Sequence, residues 1–142
     1  MHFTIQSVGR VRAGGWKELA DDYLSRISHY ARCDSIELRD DQELVRKWPK
    51  SDVVVALEVH GNKLNSVQFA RQLERWGNQG KGQVSFVIGG AEGIPDELSM
   101  RANYLLSLSP MTLPHRLAKV LLLEQVYRGL TIIRGEPYAR ET

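Results

Sequence analysis

The segment Val53-Val54-Val55-Ala56-Leu57-Glu58-Val59 is apolar at every position but one. A strand without alternation has no face to give to water, so it must lie inside a sheet covered on both sides, as in parallel sheets flanked by helices. The chain supplies helical patterns in alternation with further strand patterns. Residues 2–8 suit a strand, and behind Gly14-Gly15 the residues Trp16, Leu19, Ala20, Tyr23, Leu24 and Ile27 fall at the three-and-four spacing of an amphipathic helix. Residues 35–38 predict a short strand, and the polar stretch 39–51 reads as a surface excursion with a helix over 42–47 before Pro49. After the exit loop His60-Gly61-Asn62-Lys63, Asn65 can cap a helix with Gln68 at the box position. Val67, Ala70, Leu73 and Trp76 form its buried stripe, and the glycines of 77–82 end it. Residues 84–88 form the next strand. Pro95 fits the first position of a short helix, with Asp96 and Glu97 at its positive end. A third core strand over 104–108 and a long helix from His115 to about residue 133 complete an α/β domain with a mostly parallel sheet, a single domain over residues 1–142.

Composition sets bounds on function. With 142 residues, 42% apolar and 25% charged, the chain is long enough for one well-filled core. Its net charge of +2 is mild, whereas proteins that grip bare nucleic acid through phosphates carry a strong basic surplus. Any binding of nucleic acid would then rest on a local patch, a dimer groove or a pre-shaped target. No apolar stretch reaches the roughly 18 residues of a membrane span, and Met1-His2-Phe3-Thr4 lacks the basic and apolar regions of a signal peptide, so a cytoplasmic protein is expected, with no membrane partner. Cys33 has no cysteine partner and no Cys or His at ligand spacing, and His2, His29 and His60 show none either, so no metal is expected. The tryptophans Trp16, Trp48 and Trp76 read as packing residues rather than a base-stacking platform.

Two loops draw attention as a binding site. The strand pattern over 84–88 stops at Gly89-Gly90-Ala91-Glu92-Gly93, and that over 104–108 at Ser109-Pro110-Met111-Thr112-Leu113-Pro114-His115. Ligands in open α/β sheets bind beyond the carboxyl ends of strands, where main-chain groups are still unpaired. The glycine loop is neither a Walker loop nor a dinucleotide fingerprint, and taken alone a Gly-Gly after a strand is more often a tight turn. The breadth of the apolar set Leu117, Val120, Leu121, Leu122, Leu123, Val126, Tyr127, Leu130 and Ile133 calls for cover on more than one side of the last helix. A homodimer interface or a central position in a monomer core would each supply it. Glu124 and Arg128 are four apart and can pair along one helix face.

Gly89-Gly90-x-x-Gly93, the run Leu106-Ser107-Leu108-Ser109-x-Met111-Thr112-Leu113-Pro114-His115, Glu124-Gln125-x-Tyr127-Arg128 and Pro137-Tyr138 together resemble the RlmH family. The start Val8-Gly9-Arg10 with Trp16 and Tyr23 behind it extends the likeness over almost the whole chain. That family consists of S-adenosylmethionine-dependent methyltransferases of the SPOUT superfamily, which methylate N3 of a pseudouridine in 23S ribosomal RNA. The resemblance implies a C-terminal trefoil knot, a homodimer with active sites near the interface, and 23S rRNA in the assembled ribosome as partner. It also implies that Leu57, Gly89, Gly90, Leu108, Ser109, Pro110, Met111, Thr112 and Leu113 line the S-adenosylmethionine site.

His115 adjoins the cofactor loop and is the best-placed side chain for the N3 proton, Arg128 could favour the N3 anion or meet phosphate, and Tyr138 with Arg140 could stack on and neutralise RNA. One place departs from the family, which commonly has a histidine after this tyrosine; here it is Ala139, so no proton transfer by that imidazole carries over. A SPOUT enzyme acting on another RNA such as tRNA, or a non-catalytic RNA- or nucleotide-binding α/β module, are the rival readings.

Overall fold

The unalternating apolar run becomes strand β3 (Val53–Lys63), and its side chains divide between two cores. Val53 and Val55 join one core and Val54 and Ala56 the other, all nearly or fully excluded from solvent. The computed structural model describes residues 1–10 and 12–141. Around β3 stand β1 (His2–Val8), β2 (Arg32–Leu38), β4 (Gln83–Ile88) and β5 (Tyr104–Ser107), every pairing parallel, in the order β2-β1-β4-β3-β5. Helices α1 (Gly15–Ile27), α3 (Ser66–Gly77) and α5 (His115–Arg134) cover one face through Phe3, Phe69, Trp76, Phe86 and Leu122. Helices α2 (Asp41–Arg46) and α4 (Asp96–Ser99) cover the other through Leu44, Trp48, Ile94 and Leu98. Each such side chain contributes about 1.5–3 kcal/mol when removed from water. The sheet is thus the middle of three layers.

Local signals account for most boundaries. The Asn65 side chain accepts the Gln68 N–H at 2.8 Å while Gln68 Oε1 accepts the Asn65 N–H at 2.9 Å, the reciprocal box read from the sequence. Asp40 caps α2 through the Glu43 N–H at 2.9 Å. α5 ends at Gly135, whose φ of 71° closes the helix in the left-handed region.

Several expectations change. The polar stretch 39–51 is less of a surface excursion than expected, because Leu44 and Trp48 on and beside α2 lay the cover over the second face of the sheet. The expected exit loop at 60–63 belongs to β3, which bulges and rejoins its neighbour. β5 is an edge strand rather than a central one. Pro95 caps α4 instead of opening it. Trp16 and Leu19 on α1, and Val67 on α3, are exposed, so their buried stripes are narrower than the spacing suggested. The breadth of apolar residues on α5 is met within the chain, because α1 and α3 flank it and bury Val120, Leu122, Leu123, Val126 and Leu130; Leu121 is the leucine that faces out.

Cys33 is half-buried on β2, and burial with the neighbouring Asp34 carboxylate pushes its thiol up to about 12. A thiol held protonated is a poor nucleophile. At pH 8 the native protein should react with an aromatic disulfide reagent at least about tenfold more slowly than the urea-unfolded chain, followed by absorbance; equal rates would show Cys33 to be open to solvent.

Candidate functional site

Strand β4 delivers the chain to Gly89 at the carboxyl end of the sheet, where the glycine loop folds onto itself. Gly93 N–H donates to the Gly90 carbonyl at 3.0 Å, and Gly93 takes a φ of 80°, which a residue with a Cβ reaches only under strain. A Cβ on Gly89 would lie 2.4 Å from the Gly93 carbonyl carbon, and one on Gly90 would press on Val8 at 3.3 Å. The missing side chains therefore let the loop close and seat against β1. What they leave facing the ligand side is main chain.

The adjacent wall comes from β3 and the segment after β5. β3 pairs with Leu106 at Leu57, swings out, and meets Leu106 again at Asn62. The rejoining point needs Gly61, where a Cβ would lie 2.8 Å from the Leu105 carbonyl carbon. Ser107 Oγ holds the bulge to the next loop by bonding the carbonyls of Val59 at 2.8 Å and Ser109 at 2.9 Å. Ser109 Oγ in turn accepts the Met111 N–H at 2.9 Å, while among the described residues the main chains of Thr112 and Leu113 make no hydrogen bond to the fold.

These pieces enclose a cleft of about 550 Å³, within the usual range for small-ligand sites. Of the residues that the sequence pointed to, Leu57, Gly89, Gly90, Leu108 and Ser109 line it, as do Met111, Thr112, Leu113 and His115. Pro110 lies outside the lining. Met111 stands at the rim with most of its surface exposed. Leu57, Ile88, Leu108, Leu113 and Ala118 give apolar surface, and Glu58 is the one carboxylate among the described lining residues. The sequence reading passed over Glu58, hidden in an apolar strand. The signal was there, in a single charge interrupting that strand near its carboxyl end.

His115 opens α5 with its ring against Gly9, where an added Cβ would sit 2.9 Å from Nε2. Gly9, at a φ of 112°, makes the room, and Nε2 is buried with no hydrogen-bond partner among the described residues.

Arg128 and Tyr138 form a second constellation elsewhere. Arg128 Nε and Nη2 donate to Glu124 Oε2 at 3.0 and 2.8 Å, and the Tyr138 hydroxyl donates to the same oxygen at 2.9 Å. The guanidinium lies 5.1 Å from the centre of the Tyr138 ring, which stacks edge-on against Tyr127 with centroids 4.7 Å apart. Burial first, then the neighbouring Tyr23 and Glu124, push the Tyr138 phenol well above the usual tyrosine range, so it stays protonated at neutral pH and acts only as donor and ring. The Glu124 hydrogen bond holds the Arg128 guanidinium further toward its charged form. Arg128 follows His115 by 13 positions on one helix, a separation of about 20 Å. Within one chain the structure does not bring Arg128 and Tyr138 to the cleft.

The chain resembles known proteins over its whole length. Residues 1–139 match a family described as "Predicted SPOUT methyltransferase". A protein of Sorangium cellulosum named Ribosomal RNA large subunit methyltransferase H is 45% identical, covering 98% of this chain and 99% of its own, and one of the same name from Acetivibrio thermocellus is 38% identical over 99% and 100%. In fold the chain is similar to a probable methyltransferase from Bordetella pertussis (TM-score 0.63, 10% identity, 91% of this chain and 96% of that one). It is also similar to a putative methyltransferase from Legionella pneumophila solved in complex with S-adenosylmethionine (TM-score 0.52, 13% identity, 89% and 65%).

Proposed function

This chain belongs to the SPOUT methyltransferases, and on that premise we propose that it transfers a methyl group from S-adenosylmethionine to N3 of a pseudouridine in 23S rRNA of the assembled ribosome. Methylation of large-subunit rRNA is the activity named for its full-length relatives. The observation that carries the reading onto this chain is the cleft itself, at the carboxyl ends of β3 and β4, walled by the glycine loop and by the segment after β5.

The residues present suit that cofactor. Leu57, Leu108 and Leu113 offer apolar surface to an adenine ring, and the main chains of Thr112 and Leu113 offer groups for its polar edge. S-adenosylmethionine, when bound, supplies a methyl already made electrophilic by its sulfonium. The protein's part is to orient the target and exclude water. His115 borders the cleft and is the proposed holder of the N3 proton.

Arg128 and Tyr138 enter this reading through a homodimer, in which the tail of one chain serves the cleft of the other. Supporting it are the distance from their own cleft and the exposed Leu121, which lines a groove with Ser66 and Phe69 of α3 and Gln125 of α5. The trefoil knot belongs to the same reading. Its support is that the 89–103 segment crosses β3 on the α4 side while α5 lies on the opposite face.

Labelled methyl transfer to whole ribosomes, separate subunits and naked rRNA, followed by nucleoside identification, tests the proposal. The expected product is N3-methylpseudouridine, formed on assembled particles at least about tenfold faster than on naked 23S rRNA. Label found in tRNA instead would overturn the target assignment.

A further inference from the structure

Glu58 stands where the β3–β5 register breaks, directly after Leu57 at the floor of the cleft. One of its oxygens, Oε1, accepts the hydroxyl of Ser99, a buried residue at the end of α4, so the carboxylate is anchored from the far side of the sheet. No lysine, arginine or histidine pairs with Glu58 among the described residues. By contrast Glu43 and Glu124, the other glutamates withdrawn from solvent among the described residues, each have arginine partners. A fixed carboxylate without a counter-ion beside an apolar cavity makes that cavity favour a cation.

Resting on the cofactor reading above, we propose that Glu58 is the residue by which the cleft distinguishes the methyl donor from the spent product. S-adenosylmethionine carries a sulfonium, an ammonium and a carboxylate, for a net charge of +1. Loss of the methyl leaves S-adenosylhomocysteine, in which the sulfur is a neutral thioether and the net charge is zero. Every other polar group of the two molecules is shared. Apolar surface and main-chain hydrogen bonds therefore hold both alike, and a side chain that separates them must respond to the sulfonium. Glu58 is the carboxylate in the lining that can do so. It acts as a specificity residue for the loaded state: attraction is present before transfer and gone after it, which speeds release of the product.

Calorimetric titration of the purified protein with both molecules tests this. Wild type should bind S-adenosylmethionine about tenfold more tightly than S-adenosylhomocysteine, a difference within reach of one carboxylate at short range in a half-buried site. Glu58→Gln keeps the shape and removes the charge. It should weaken the sulfonium ligand about tenfold and the thioether less than about twofold. Glu58→Asp, which keeps the charge, should retain a preference for the sulfonium. Equal losses for both ligands in Glu58→Gln would place the carboxylate on a shared ribose or ammonium group, and no loss for either would remove it from the site; each overturns the proposal and leaves the cofactor reading intact.

A ligand-side measurement does not depend on the variant folding. An analogue with a protonated amine in place of the sulfonium should bind wild type within about threefold of S-adenosylmethionine. If wild type binds the neutral thioether as tightly as both cations, Glu58 does not discriminate by charge. If wild type binds none of the three, the cofactor reading itself fails.

Discussion

Leu122→Glu should unfold the protein, whereas Leu121→Glu, one position earlier, should leave it folded and make it monomeric. Leu122 is fully excluded from solvent in the core that joins α5 to the sheet, and Leu121 is 38% exposed. Removing a buried leucine costs about 2–5 kcal/mol through lost burial and the cavity left behind. A carboxylate in its place must also be desolvated without a partner or remain protonated. Together these approach the whole stability of an ordinary domain, about 5–15 kcal/mol. Leu121 loses much less burial in the single chain than Leu122, so its substitution acts mainly on a partner resting there. Circular dichroism melting separates the first effect, and light scattering at micromolar concentration the second. A monomeric wild type would remove the dimer, and a well-folded Leu122→Glu protein would contradict the packing of α5.

The second large effect is expected at the tail. Tyr138→Ala with Arg140→Ala should leave S-adenosylmethionine affinity within about threefold but lower methyl transfer to ribosomes at least about tenfold, equivalent to about 1.4 kcal/mol and within what one stacked base supplies. Tyr138 also keeps company with Arg128 through Glu124, so its removal loosens a cation as well as a ring. Tyr138→Phe separates these contributions, since it retains the ring and loses the bond to Glu124. Because the phenol is held well above its usual range, no pH dependence below pH 9 should arise from Tyr138 itself.

Mixing shows whether the tail works in trans. A Gly89→Val chain, whose side chain is driven into the Gly93 backbone, should lose cofactor binding by disrupting the wall of its own cleft while keeping an intact tail. Re-formed with the tail double mutant at equal amounts, the pair should recover about a quarter of wild-type sites, each an intact cleft met by an intact tail from the partner. No recovery above the separate mutants, with exchange of chains verified, would confine the tail to its own subunit or remove it from catalysis. Restoring the family histidine by Ala139→His tests that missing imidazole separately.

The layered sheet was legible because β3 has no polar face and because Asn65 and Gln68 mark a helix start in their own side chains. Positions whose fate depends on remote neighbours were not. Trp16 and Val67 fit an apolar period yet stand exposed, since period says which residues share a face and not how far cover extends across it. Leu44 and Trp48 lie in a polar stretch and still close the second core, because a six-residue helix needs few apolar residues to do so. In the cleft, the loops could be picked out from their glycines and prolines, while Glu58 depended on the β3 bulge to bring it to the floor. The distance between His115 and Arg128 was implicit in helix length; what lies opposite each of them was not.

The wall made by Gly89, Gly90 and Gly93 restricts how this cleft can change in evolution. At Gly89 and Gly90 the places where side chains would attach are turned toward the loop and β1, and Gly93 is fixed instead by its φ of 80°, which residues with a Cβ rarely adopt. Substitution there cannot reshape the cavity gradually, for the first added carbon at Gly89 meets main chain. New ligand preferences must arise from the opposite side, through Leu57, Glu58, Val59 and the segment carrying Met111 and Thr112. One side of the site is thus held nearly invariant by geometry, and diversification is left to the other.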